Sequence, residues 1–288
     1  MTDQKKPSWL RVKYNKSEVS EISEMMSALG LNTVCKEAEC PNMGECFKKR
    51  TATFMILGKY CTRDCRFCSV EHGAPESVCP EEPEHIAEAA VKLGLRHVVI
   101  TSVTRDDLPD GGAEQFAACV RSIKRRLPSV AVELLIPDFK GSNNALDIVI
   151  AAHPDVIGHN VETVPSLYSD VRPQAVYTRS LEVLKYIKSK SPDIRVKSGI
   201  MVGLGEKKEE VFTLFDDLRA AGCDIITIGQ YLRPSVSHVE MKEYITPEMF
   251  EMYKTQAQSR GFGYVSCGPL VRSSYHAAEA LRETDVHS

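Results

Sequence analysis

The 288-residue sequence predicts an α/β fold, a partial (β/α)6 TIM-like barrel with N- and C-terminal extensions. Two observations predict it. Six short β-rich runs alternate with six amphipathic helical stretches, and strands that return to one sheet in the same direction need such crossovers. No long Gly/Ser-rich or low-complexity stretch is present to link two separate domains.

Val19, Ile22, Met25, Met26 and Leu29 recur at helical spacing, with Ser17 as N-cap and Gly30 beyond the end. They predict a short helix over 17–29 leading into a first cysteine loop. Strands are expected over 53–57, 97–102, 130–136, 155–158, 195–201 and 224–228. The intervening helices are expected over 84–93, 113–126, 143–152, 178–190, 207–220 and 246–260. The proline-rich stretch 73–83 reads as a loop. The chain thus divides into an N-terminal extension over 1–52, a barrel over 53–260 and a C-terminal extension over 261–288.

With 43% hydrophobic and 26% charged residues, the chain can bury a sizeable core. A formal charge of −3 gives no reason to expect a nucleic-acid partner. No apolar run approaches the ~20 residues of a membrane span, and the charged start lacks the apolar region of a signal peptide. A cytoplasmic location is expected, where neighbouring thiols read as metal ligands rather than disulfides.

Six of the ten cysteines form two triplets, Cys35-x4-Cys40-x5-Cys46 and Cys61-x3-Cys65-x2-Cys68. Each is one thiolate short of a closed four-ligand site. Cys79, Cys119, Cys223 and Cys267 stand alone and read as small hydrophobes. The second triplet follows the first predicted strand, at the end of the barrel where such folds place their chemistry. Three thiolates so close in sequence can hold three corners of a cubane, which would leave one iron open. Tyr60, Arg63, Arg66 and Phe67 surround them with cations and rings. The alternative is a zinc knuckle in which His72 completes Cys3His. In its barrel setting the triplet resembles the hallmark of the radical S-adenosylmethionine enzymes. That resemblance implies that S-adenosylmethionine chelates the open iron and is reductively cleaved to a 5'-deoxyadenosyl radical.

The first triplet calls for its own explanation. Its spacing ahead of the second, together with Arg272-Ser273-Ser274-Tyr275 near the C-terminus, resembles the lipoyl synthases. The resemblance covers nearly the whole chain and includes Arg105-Asp106-Asp107-Leu108-Pro109-Asp110-Gly111-Gly112, His159-Asn160-Val161-Glu162-Thr163 and Lys197-Ser198-Gly199-Ile200-Met201-Val202-Gly203-Leu204-Gly205-Glu206. It implies two [4Fe–4S] clusters, one on Cys61, Cys65 and Cys68, and an auxiliary one on Cys35, Cys40, Cys46 and Ser274. By itself Ser274 reads as an ordinary tail serine, as do Ser273 and His276 for their types. The implied activity is insertion of two sulfur atoms, taken from the auxiliary cluster, at C6 and C8 of a protein-bound N6-octanoyl-lysine, consuming two S-adenosylmethionine per product. The implied partners are octanoylated lipoyl carrier domains, namely the glycine cleavage H protein or the E2 subunits of 2-oxoacid dehydrogenases. A flavodoxin or ferredoxin donor and an iron–sulfur cluster carrier complete the set.

Polar residues past the predicted strands are candidates for S-adenosylmethionine. Asn160 and Glu162 suit its amino group and ribose hydroxyls. Asp110, Gly111 and Gly112 permit close backbone approach, or else form a tight turn capping the next helix. Lys197 and Arg233 are able to meet a carboxylate, although single basic residues more often sit in solvent. Pro137-Asp138 reads as a turn former. Arg11, Lys13, Lys16, Lys48, Lys49 and Arg50 make the cluster-bearing end locally basic, a solvated face or a docking surface for an acidic carrier.

Overall fold

The computed structural model describes residues 7–10, 31–33, 42, 45–46, 51–275 and 277–285. The helix expected over 17–29, Cys35, Cys40, His276 and the basic residues Arg11, Lys13, Lys16, Lys48, Lys49 and Arg50 lie outside them. Among the described residues eight strands form one sheet in chain order. They are β1 (Asn32–Thr33), β2 (Thr51–Ile56), β3 (His97–Ser102), β4 (Ala131–Leu135), β5 (Val156–Gly158), β6 (Arg195–Val202), β7 (Ile225–Gln230) and β8 (Tyr264–Gly268). β2 to β8 run parallel, and β1 pairs antiparallel with β2, Asn32 opposite Met55. The sheet does not close, because β1 and β8 stay at its edges.

The helices are α1 (Glu82–Lys92), α2 (Ala113–Arg126), α3 (Asn143–Ala151), α4 (Tyr168–Val171), α5 (Tyr177–Lys190), α6 (Lys208–Ala220), α7 (Pro247–Ser259) and α8 (Ala277–Asp285). Their starts follow local chemistry. Ser142 Oγ accepts the Ala145 amide ahead of α3, and Thr246 Oγ1 accepts the Met249 amide ahead of α7, with Pro247 at the first helical position.

The partial barrel and its six predicted units are present, and a seventh parallel strand joins them. β8 was hidden because Tyr264-Val265-Ser266-Cys267-Gly268 is only five residues long and is set between glycines at 261, 263 and 268. Its pairing with β7, Ile225 opposite Tyr264, supplies partners that no local pattern reports.

Strand alternation sorts the core from the lumen. Val98, Ile100, Val132, Leu134, Ile157, Ile226 and Ile228 pack outward under the helices. Phe215 of α6 meets Tyr253 of α7 and Phe262 of the turn before β8 edge-on, with ring centroids 6.5 and 6.3 Å apart. The alternate residues face inward, among them Glu133 and Lys197, whose ion pair at 2.6 Å spans β4 and β6. α8 packs against β3 and β8, and its Ala280 and Leu281 meet Val156, Ile225 and Tyr264. The C-terminal segment therefore reaches the inner face of the sheet.

Candidate active site

Cys61, Cys65 and Cys68 occupy the loop after β2. The turn into it uses Leu57 at φ +70° and Gly58 at φ +91°, with the Leu57 amide donating to Glu82 Oε2. Neighbouring loops hold the segment through its backbone. Thr62 N donates to Thr104 O, Arg66 N to Val171 O, and Val239 N to Arg66 O. Cys61 Sγ accepts the amides of Thr104 at 3.3 Å and Arg63 at 3.5 Å. His238, after β7, sends Nε2 to Cys68 O at 3.0 Å.

The three sulfurs share a part-buried space. Burial pushes the Cys68 thiol up to about 12, and the neighbouring Cys65 and Cys61 sulfurs push the same way. Burial also raises Cys65, against the pull of Arg172. Thiols so placed ionise together only when bound positive charge compensates them, which is the chemistry of an iron–sulfur donor set. The residues therefore fit three corners of a cluster. The His72 ring does not join them. It is 63% exposed and faces Asp64 at 3.6 Å, while its backbone bridges Cys61. Among the described residues no three His, Cys, Asp or Glu side chains converge on a single metal ion. A cubane holds its thiolates on separate irons and does not need such convergence.

Asn160 and Glu162 lie past β5 on the same side. Glu162 holds φ +67°, a strained backbone that its pairing with β6 enforces through Glu162 N to Gly199 O and Met201 N to Glu162 O. Burial raises its carboxyl, and Arg172 and Asn160 oppose the shift. Arg172 gave no signal in the sequence beyond preceding a proline. It is buried, and its Nη1 donates to Asn160 O at 2.9 Å and to Tyr168 Oη at 3.2 Å. Its buried Nε has no oxygen or nitrogen partner among the described residues, leaving a cationic donor beside Cys65.

From Arg172 a line of hydrogen bonds runs into the barrel wall with a single polarity. Tyr168 Oη donates to Ser180 Oγ at 3.2 Å, Ser180 Oγ to His159 Nε2 at 3.0 Å, and His159 Nδ1 to Ile136 O at 2.9 Å. A carbonyl can only accept, so Nδ1 carries the proton and Nε2 is the acceptor. The ring is neutral, consistent with burial lowering its pKa to about 4.

The C-terminal motif arrives at the same mouth. Asn160 Nδ2 donates to Ser273 Oγ at 2.6 Å, across 113 residues of sequence. Ser274 sits in the turn closed by Tyr275 N to Arg272 O. Tyr275 Oη donates to Glu45 Oε2 at 2.9 Å, and Asn42 Nδ2 to Leu270 O at 2.6 Å. Cys46 lies close enough to help raise the Tyr275 phenol. The structure thus sets one cysteine of the first triplet beside the serine turn. Gly229 makes room for this segment, since a Cβ there would strike Val271 O.

The remaining candidates stand apart from this group. Asp110 takes the amides of Gly112 and Glu114 at 2.9 Å each, so its carboxylate caps α2. Gly111 and Gly112, at φ +63° and +90°, turn the chain tightly against Phe139 and Leu57. Lys197 is 3% exposed and bound to Glu133, which His97 also contacts at 3.3 Å. Burial opposes ionisation of Glu133, but Lys197 and His97 outweigh it and lower its pKa. Arg233 is exposed and donates to His238 O and Val236 O, shaping the loop that reaches Cys68.

Residues 55–229 match the Radical SAM superfamily. A lipoyl synthase from Caldanaerobacter subterraneus is 58% identical over 277 residues, covering 96% of this chain and 97% of the relative. The chain belongs to the lipoyl synthase family. A second lipoyl synthase, from Alkaliphilus metalliredigens, is 53% identical and covers 98% of both chains. Among solved structures, methylornithine synthase covers 97% of this chain and 90% of its own at a TM-score of 0.54 and 12% identity. SuiB of Streptococcus suis bound to its precursor peptide covers 97% and 60% at a TM-score of 0.60 and 13% identity. These two show the shared fold. As a radical SAM member of the lipoyl synthase family, the chain is an enzyme of S-adenosylmethionine and iron–sulfur chemistry.

Proposed function

We propose that this enzyme is a sulfurtransferase that converts a protein-bound N6-octanoyl-lysine to the lipoyl cofactor. Cys61, Cys65 and Cys68 hold one [4Fe–4S] cluster, and Cys35, Cys40, Cys46 and Ser274 hold an auxiliary one. When bound, these groups and two S-adenosylmethionine supply a 5'-deoxyadenosyl radical and the sulfur inserted at C6 and C8. The observation that carries the reading is the docking of the Ser274 turn beside Cys46 and, through Ser273, onto Asn160 behind the second triplet.

The chain's own groups then have distinct tasks. Asn160 and Glu162 would bind the amino group and hydroxyls of the cosubstrate. Arg172 sets a fixed positive charge beside Cys65, its position braced by the Tyr168–Ser180–His159 line. Asp110, Gly111 and Gly112 hold the loop after β3, and Arg233 holds the loop over Cys68. Lys197 braces the lumen from below. Hydrogen-atom abstraction moves proton and electron together, so no side chain needs to act as a general base. Ser274 offers an oxygen, a poorer match to iron than thiolate and thus the readiest ligand to depart.

On this reading residues 1–52 and 261–288 build the sulfur-donating site and 53–260 the radical-generating one, with Tyr264–Gly268 completing the sheet. The substrates are carrier domains of the glycine cleavage H protein or 2-oxoacid dehydrogenase E2 type. Flavodoxin or ferredoxin supplies electrons, a cluster carrier supplies iron and sulfide, and the cytoplasm is the setting. No helix among the described residues is long and apolar enough to cross a membrane. The test is anaerobic incubation with S-adenosylmethionine, reductant and an octanoylated lysyl peptide, with clusters built from heavy-isotope sulfide. Peptide gaining two labelled sulfurs is expected; product carrying only unlabelled sulfur would refute the donor role of the auxiliary site.

A further inference from the structure

Arg63 stands between the first two cysteines of the second triplet, and its side chain is only 5% exposed. Nε donates to Asp106 Oδ2 at 2.7 Å, and Nη2 to Asp106 Oδ1 at 2.9 Å and Asp138 Oδ1 at 2.7 Å. Asp106 follows β3 and Asp138 follows β4. One guanidinium therefore ties three successive strand-end loops together. Both carboxylates are themselves anchored. Asp138 is fully buried and accepts Lys140 N at 3.1 Å and Arg179 Nη1 at 3.3 Å. The Asp106 amide donates to Thr62 Oγ1 at 3.0 Å, and that hydroxyl donates to Thr104 O at 2.9 Å. The Thr104 amide in turn reaches Cys61 Sγ.

Charge sorts the arginines of this region by role. Two cations, Arg63 and Arg179, face two anions, Asp106 and Asp138, so the field of Arg63 is spent locally. Arg172 is the cation that acts on the Cys65 sulfur. What Arg63 contributes is a planar fork whose geometry matches two carboxylates at once, a match that lysine cannot reproduce.

We propose that Arg63 is a positioning residue that, through Asp106 and Asp138, holds the Cys61–Cys68 loop in its ligand-ready form in the metal-free chain. Cluster assembly then meets a preformed loop instead of ordering one. The inference rests on the assignment of a cluster to these cysteines and adds how the site is prepared for it.

Arg63→Lys, Asp106→Asn and, as a control on the exposed face of α2, Arg121→Gln are compared with wild type under anaerobic reducing conditions. Amide exchange over 62–68 is read in metal-free protein, and iron uptake, loss to a chelator and the midpoint potential are read after reconstitution. Arg63→Lys and Asp106→Asn are expected to speed exchange over 62–68 by about tenfold, leave exchange in α5 to α7 unchanged, and slow uptake of iron. Loaded Arg63→Lys conserves the local charge and should keep the wild-type spectrum and potential, whereas Asp106→Asn leaves one cation unbalanced and should raise the potential. Arg121→Gln should behave as wild type. Wild-type exchange and iron uptake in Arg63→Lys and Asp106→Asn would overturn the proposal, as would a wild-type loop that exchanges like free peptide. A wild-type chain that takes up no iron would sink the cluster assignment alone, because the metal-free exchange comparison still decides the staple.

Discussion

At the scale of single residues, His159 and Ser274 show opposite uses of a polar side chain. His159 is buried as a neutral acceptor, with its pKa lowered to about 4 from the ordinary 6.5. Between those values the unfolded chain binds the proton that the folded one refuses, so stability falls as pH drops from about 6.5 toward 4, by on the order of 3 kcal/mol. Histidine ring resonances should show one imidazole neutral until about pH 4, and His159→Gln should flatten the acid slope of denaturant melts. Ser274 is a ligand candidate at a turn, and its removal should separate two readouts. Ser274→Ala is expected to keep 5'-deoxyadenosine formation while lowering lipoyl product by at least about tenfold, measured on the same octanoyl peptide. Equal loss of both would place Ser274 in folding or in the first site.

At the scale of elements, the mouth of the barrel depends on how closely β7 and the C-terminal segment approach. Gly229 of β7 lies against Val271 O and the Arg272 side chain. Gly229→Ala pushes that segment outward and should disturb the Ser274 turn while the loop after β2 stays intact. Iron analysis is expected to fall by about half, with S-adenosylmethionine cleavage retained. The packing of α6 against α7 and β8 makes a contrasting case. Phe215 is fully buried among Tyr253 and Phe262, so Phe215→Ala should cost about 3–5 kcal/mol in denaturant unfolding with no selective effect on either site.

At the scale of the whole molecule, the proposed function takes one site from a single loop and the other from the two ends of the chain. Fully reconstituted protein should, on the proposed function, carry about eight irons, and replacing Cys35, Cys40 and Cys46 by alanine should reduce this to about four. The six strand-helix units were legible in the sequence because each announces itself locally, by β-branched runs and by apolar residues at helical spacing. That the second triplet gathers in one loop was legible for the same reason: three cysteines within eight residues need little tertiary help to meet. β8 was not, since a five-residue strand between glycines gains its identity from pairing with β7. Nor was Arg172, whose position beside Cys65 depends on the folding of α4 beneath the loop. Asp110 and Lys197 carried residue types suited to a ligand, yet their partners are the α2 amides and Glu133. Periodicity and close cysteine spacing, being short-range, are written in the chain itself. Which polar groups meet across the lumen, and whether Ser273 and Tyr275 reach Asn160 and Glu45 from more than a hundred residues away, was decided only when parallel pairing brought the C-terminal ends of β2 to β8 to one mouth.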